Sequence, residues 1–108
     1  MAQTTQETAK NPLLKDMEET FLGCLTTAVK KNADYAGNKD PYHNFKIAKI
    51  MGVTPAKGIA VRVTDKISRL GNLLDKEPEV SSETIFDTID DAINYLAILK
   101  SVLKNGIE

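Results

Sequence analysis

A chain of 108 residues, 42% hydrophobic and 27% charged, is sized for one ordinary globular domain. It carries no apolar run near the roughly 20 residues of a membrane span and no visible signal peptide. Its single cysteine, Cys24, excludes an internal disulfide and suits a reduced, cytoplasmic setting in which the thiol serves as a small buried hydrophobe. The formal net charge of −1 conceals an asymmetry, because residues 1–64 carry nine Lys/Arg against six Asp/Glu and residues 65–108 carry five against nine. A polynucleotide binder shows a broader positive surface, so a small anion bridged by a metal suits the split better.

The elements follow in chain order. Residues 1–10 are polar and without periodicity and read as a flexible start, leaving 11–108 as a single all-α domain. Asn11-Pro12 supplies an N-cap and a proline at the first helical position. Leu14, Met17, Phe21, Leu22, Leu25, Ala28 and Val29 then recur at helical spacing, and Lys30-Lys31 suit a C-terminus, predicting a helix over Pro12–Lys31. The Asn-, Asp- and Gly-rich stretch that follows reads as a loop. Asp40-Pro41 caps a short helix, Pro41–Met51, which Gly52 ends. Thr54-Pro55 opens a long helix to about Asp75 with Ile59, Val63, Ile67, Leu70 and Leu74 as its buried face, and Gly71 inside it either weakens the helix or marks a close helix–helix approach. Ser81/Ser82 cap the last helix, which stops near Asn105-Gly106. No segment alternates convincingly with period two, so the expected fold is all-α, a helical bundle of three long helices and one short. Apolar stripes this long on a 108-residue chain also predict a homo-oligomer, a dimer or tetramer.

The last helix organises the rest. Ile85, Ile89, Ala92, Ile93, Leu96, Leu99 and Leu103 form its apolar stripe, while Glu83, Asp87, Asp90, Asp91 and Asn94 fall on the opposite one. Glu83/Asp87 and Asp87/Asp91 are like-charge pairs at i,i+4, each costing roughly 0.2–0.5 kcal/mol in an isolated helix, and no Lys or Arg lies between Glu83 and Leu99. The stripe therefore reads either as a divalent-cation site or as a solvated acidic face. Arg62, Asp65, Lys66 and Arg69 sit on one flank of the preceding helix. They form either a local ion-pair ladder or a functional set, in which Asp65 joins the carboxylates and the cations hold phosphate oxygens. Between Lys31 and Phe45 the chain is dense in side chains that hydrogen-bond or stack. Tyr35 or Tyr42 there is suited to stack on a base and Asn44 to read its edge, although turn chemistry alone also accounts for Asn and Asp in a loop. His43 is the one histidine, which excludes a histidine-rich zinc site.

In order, KNADYAGN, YHNF, VRVTDKISRLGNLL and SSETIFDTIDDAINYLAIL resemble the phage and bacterial nucleotide-modification-associated domain family. Its pattern runs DYG, NF, R-x-x-DK-x-x-R-L, then E-S/T-x-x-D-T-x-x-D-x-x-x-Y, and covers about residues 30–99. That family is in turn distantly similar to the all-α nucleoside triphosphate pyrophosphohydrolases of the MazG type. In those enzymes carboxylates on two antiparallel helices bind Mg²⁺, which activates water to cleave between the α- and β-phosphates.

The resemblance implies a MazG-like bundle in which Glu83, Asp87 and Asp91, with Asp65, hold Mg²⁺ and carry catalysis. It leaves Arg62, Lys66 and Arg69 for the phosphates, and Lys31, Tyr35, Asn44 and Tyr95 for the remaining substrate contacts. The earlier helix departs from the E-E-x-x-E cluster of those enzymes, having only Asp65 among three cations, which implies a weaker metal site and leaves nucleotide binding intact. Two functions are thus expected: Mg²⁺-dependent hydrolysis of a nucleoside triphosphate or modified nucleotide, or non-catalytic capture of a nucleotide or nucleotide-derived signal. An adaptor domain without ligand is the third and plainest reading.

Overall fold

The computed structural model describes residues 9–36, 40–77, 79 and 84–108, without the side chains of Tyr35 and Ala36. The described residues are helical and contain no strand, in keeping with the all-α expectation. The elements are α1 (Pro12–Ala36), α2 (His43–Lys46), a 3-10 segment (Ile47–Met51), α3 (Pro55–Leu73) and α4 (Ile85–Lys104). Ala9 and Lys10, at the end of the polar start, carry helical backbone.

Each boundary has a local cause. At the head of α1 the Asn11 Oδ1 accepts the Leu14 N–H at 3.2 Å, as the Asn-Pro pair predicts. The helix then runs five residues beyond Lys31, through a stretch whose composition reads as loop. Asn32 accounts for part of this, because its amide donates to the Pro41 carbonyl at 3.0 Å and ties the last turns of α1 to the next segment. The short helix expected over Pro41–Met51 is instead divided. Asp40 Oδ1 accepts the Tyr42 N–H at 2.9 Å and the Asp40 carbonyl accepts the His43 N–H at 3.1 Å, so a turn precedes α2. Gly52 ends the 3-10 segment at φ 75°, where a side chain would strain the backbone.

Thr54 caps α3, its hydroxyl accepting the Lys57 N–H at 3.2 Å. The close approach expected at Gly71 lies elsewhere. A Cβ at Gly71 would meet nothing within 4 Å, whereas one at Gly58 would stand 3.0 Å from the Ala48 Cβ, which is how the 3-10 segment lies against α3. The cap of α4 is Thr84, which forms a capping box with Asp87. The expected caps Ser81 and Ser82 lie outside the described residues. Asn105 and Gly106, the latter at φ 59°, close the helix.

α3 and α4 form the most extensive pairing, and α1 rests on α4 more lightly. Among the described residues the buried side chains are few: Cys24 of α1, Pro55 and Ile59 of α3, and Thr88, Ala92 and Val102 of α4. Cys24 donates weakly to the Asp90 carbonyl at 3.8 Å, and burial, with Asp90 next, pushes its thiol pKa up. The apolar stripes are only partly covered. Ile67 of α3 and Leu74 just beyond it are exposed, which corrects the buried face expected there, and Leu96 and Leu103 of α4 and Met17, Phe21, Leu22, Leu25 and Val29 of α1 are exposed as well. The reason lies on α4, where Thr88 and Asp91 on the polar side meet Arg69 and Lys66 of α3. The helix thereby turns part of its apolar stripe away from the chain.

Candidate functional site

α1, α2 and α4 enclose an open cleft of about 460 Å³. Its α1 wall is Leu25, Ala28, Val29, Lys31 and Asn32. Pro41, Tyr42, Asn44 and Phe45 form the second wall, and Asp91, Asn94, Tyr95, Ile98 and Ser101 of α4 form the third. Its volume falls within the range of small-molecule sites, which are mostly apolar with a few placed polar groups. Three aromatic rings, from Tyr42, Phe45 and Tyr95, line it. Tyr42 is fixed by its hydroxyl, which shares a 2.7 Å hydrogen bond with Ser101 Oγ and accepts from Asn105 Nδ2 at 3.3 Å. The side chains of Asn44 and Asn94 have no hydrogen-bond partner among the described residues, so both amides can serve a ligand.

At the Asp91 end the cleft carries a charge cluster drawn from three helices. Asp91 Oδ1 lies 3.5 Å from Lys31 Nζ of α1, and its Oδ2 lies 3.2 Å from Lys66 Nζ of α3. Two ammonium groups thus face one carboxylate, so a ligand anion there would find cations already in place. The like-charge stripe read from α4 is thus relieved at Asp91 by cations that arrive from other helices.

The remaining carboxylates of that stripe do other work or lie elsewhere. Asp87 accepts the Thr84 hydroxyl at 2.8 Å and the Thr84 N–H at 3.1 Å, while its own N–H donates to the Thr84 hydroxyl at 3.1 Å. Those bonds hold its carboxyl below the ordinary 3.8, the Thr84 hydroxyl contributing most and the Thr84 N–H next. Asp40 is lowered likewise, first by Lys46, which forms an ion pair with it, then by the Tyr42 N–H. A carboxyl with a depressed folded pKa contributes stability above its unfolded value and loses it as pH falls through the folded one. Thermal stability is therefore expected to hold down to about pH 4 and to fall below it, with a shallower acid slope in Asp87→Asn. Melting curves at intervals from about pH 6 to about pH 2.5 check this, and an unchanged slope in the variant would remove Asp87 from the account.

Asp65 and Arg69 line a second, more open cleft of about 430 Å³ with Ser68, Asn72, Leu73, Lys76 and Glu79. Arg69 also donates to Thr88 Oγ1 at 3.2 Å, and Arg62 is exposed on α3. Of the residues singled out in the sequence, Lys31, Asn44, Asp91 and Tyr95 share the first cleft and Lys66 reaches its charge cluster. Asp65 and Arg69 share the second, and Asp87 caps its helix. Glu83 and the side chain of Tyr35 lie outside the described residues. The resemblance implies Mg²⁺. Among the described residues, however, no three His, Cys, Asp or Glu side chains converge as a metal site, and the donors of Asp91 and Asp87 are engaged by lysines and by a cap.

Residue type does not flag the cleft's other walls. Leu25, Phe45 and Ile98 read as core, and Ser101 carries no pattern. Asn94 is the exception, since it stands on the polar stripe of α4 next to the acids. No family model, no curated protein and no solved structure matches this chain.

Proposed function

We propose that this domain binds a nucleotide or nucleotide-derived small molecule in the cleft between α1, α2 and α4. One observation carries the reading. A single cavity combines three aromatic rings, two amides without hydrogen-bond partners among the described residues, and the Lys31–Asp91 ion pair, whose carboxylate also meets Lys66 from outside the lining. A base takes a stacking face from Tyr42 or Tyr95, and its edge meets the Asn44 or Asn94 amide, which offers both donors and an acceptor. A phosphate at the other end competes with Asp91 for Lys31 and Lys66. The competition is feasible because the Lys31 contact is long, at 3.5 Å, and its side chain is 53% exposed. The sequence resemblance supports the same ligand class. Of the two functions it implies, the arrangement favours capture over Mg²⁺-dependent hydrolysis, since Asp91 sits with cations rather than with other carboxylates.

A thermal-shift panel of nucleoside mono-, di- and triphosphates, run with Mg²⁺ and again with EDTA, tests this. A bound ligand at about 100 times its Kd stabilises by about 2.7 kcal/mol, which is several degrees for a chain of this length. A shift that survives EDTA and is lost in Tyr95→Ala is expected. A shift requiring Mg²⁺, accompanied by pyrophosphate release, would favour the hydrolase instead. No shift with any nucleotide would leave the adaptor reading.

A further inference from the structure

Of the described residues that line the first cleft, only Lys31 and Asp91 are charged at neutral pH, and they face each other at 3.5 Å. The rest of that lining is aliphatic, aromatic or neutral polar. Lys66 reaches the same carboxylate at 3.2 Å from outside the lining, and Asp90 adjoins Asp91 in the chain. Two lysines and two aspartates leave this end close to balance rather than strongly positive.

The usual devices for gathering phosphate charge do not border the cleft among the described residues. Neither Arg62 nor Arg69 lines it. α4 presents its middle, from Asp91 to Ser101, and α1 its C-terminal half, so no long helix aims an N-terminus there. In the second wall the N–H groups of Tyr42 and His43 are taken by Asp40, and that of Phe45 by the Tyr42 carbonyl.

We infer that the cleft takes a nucleotide bearing a single phosphate and discriminates against di- and triphosphates; the inference rests on the ligand reading above. A phosphate monoester carries about −1.5 to −2 charges at pH 7, and a diester carries less. Either is met by exchanging one anion for another at Lys31. The Lys31 contact is the longer of the two, and its side chain is 53% exposed against 29% for Lys66. Lys31 therefore turns to the phosphate while Lys66 keeps its hold on Asp91, and no half-buried carboxylate is left unpaired. A second and a third phosphoryl group find no such exchange. Each adds negative charge beside Asp90 and Asp91, where the remaining lysine is already engaged. Unpaired charge against a largely apolar lining is costly. Asp91 thus sets the phosphate count.

Calorimetric titration of the full chain, at low salt and with EDTA, compares the common nucleosides with their monophosphates, cyclic monophosphates, diphosphates and triphosphates. For the preferred base, one single-phosphate form is expected to bind about tenfold tighter than the nucleoside and about tenfold tighter than the triphosphate. Whether that form is the monoester or the cyclic diester identifies the source of the phosphate. Asp91→Asn is expected to narrow the gap, the triphosphate gaining more than the single-phosphate form, because charge rather than size excludes the longer chain. Lys31→Ala should bring the single-phosphate form down to the affinity of its nucleoside. Should Asp91→Asn fail to fold, salt decides on the wild type: the gap should shrink as the repulsion is screened. A gap unchanged by both the substitution and salt would overturn the role of Asp91. A triphosphate that binds as tightly as the monophosphate, with EDTA or only with Mg²⁺, would overturn the inference and leave the ligand reading standing. Equal affinity for nucleoside and monophosphate would do the same. No binding of any nucleoside or nucleotide would overturn the ligand reading itself.

Discussion

Asp91→Asn is expected to lower the unfolding free energy by about 1–2 kcal/mol while raising the affinity for a phosphate-bearing ligand several-fold at low salt. The stability loss follows from where the carboxylate sits. Its side chain is 29% exposed and is met by Lys31 of α1 and Lys66 of α3, so one group on α4 bridges three helices. Fully exposed pairs contribute about 0–1 kcal/mol, and breaking a buried pair costs about 3–5 kcal/mol; a half-exposed, twice-paired carboxylate falls between. The affinity gain follows from the same geometry, since the substitution removes the internal anion that competes for the two lysines. Lys66→Ala should do the reverse to the ligand and weaken it. A metal-holding Asp91 gives the opposite pattern: Asp91→Asn would abolish Mg²⁺-dependent turnover, with stability equal or slightly higher because a repulsion among acids is relieved. Urea denaturation and calorimetric titration of the same variant separate the two. Unchanged stability with unchanged binding and turnover would sink both and leave the acidic stripe a solvated face.

The partners of Asp91 show where sequence reading stops. Its nearest acids are legible because they recur at i,i+4 on one helix, but Lys31 lies 60 residues away and its arrival depends on how α1 crosses α4. Local chemistry competes as well. Asp87 belongs to a charge stripe by spacing, yet Thr84-Ile85-Phe86-Asp87 is also a capping sequence, and the orphan N–H groups of the first turn claim it. Composition misplaced the end of α1, because Asn32 holds a carbonyl nine residues on and keeps the helix wound through an apparent loop. The amphipathic arcs of all three long helices are plain from periodicity. What periodicity cannot separate is Cys24, which is buried, from its neighbour Leu25, which is exposed. Both lie on the same arc, and the choice is made by packing. In the cleft, Tyr42 and Asn44 were legible by chemistry and Lys31 and Tyr95 through the resemblance, while Phe45 and Ile98 were not, since an apolar wall residue looks like core.

Ile59→Ala is expected to lower stability by about 2–4 kcal/mol, against less than about 1 kcal/mol for Ile67→Ala one helical face away. Ile59 is 2% exposed and stands next to Gly58, where α3 meets the 3-10 segment, whereas Ile67 is 53% exposed. Removing three buried carbons forfeits about 0.8 kcal/mol each in transfer free energy, and the tight seat of the 3-10 segment at Gly58 limits how far the cavity collapses. Among the described residues the other buried apolar side chains are Cys24, Pro55, Ala92 and Val102, most of them small. Ile59 therefore carries an unusually large share of the internal packing, against a total stability of order 5–15 kcal/mol for a domain. Equal losses at Ile59 and Ile67 would mean that the exposed stripe of α3 is covered in solution.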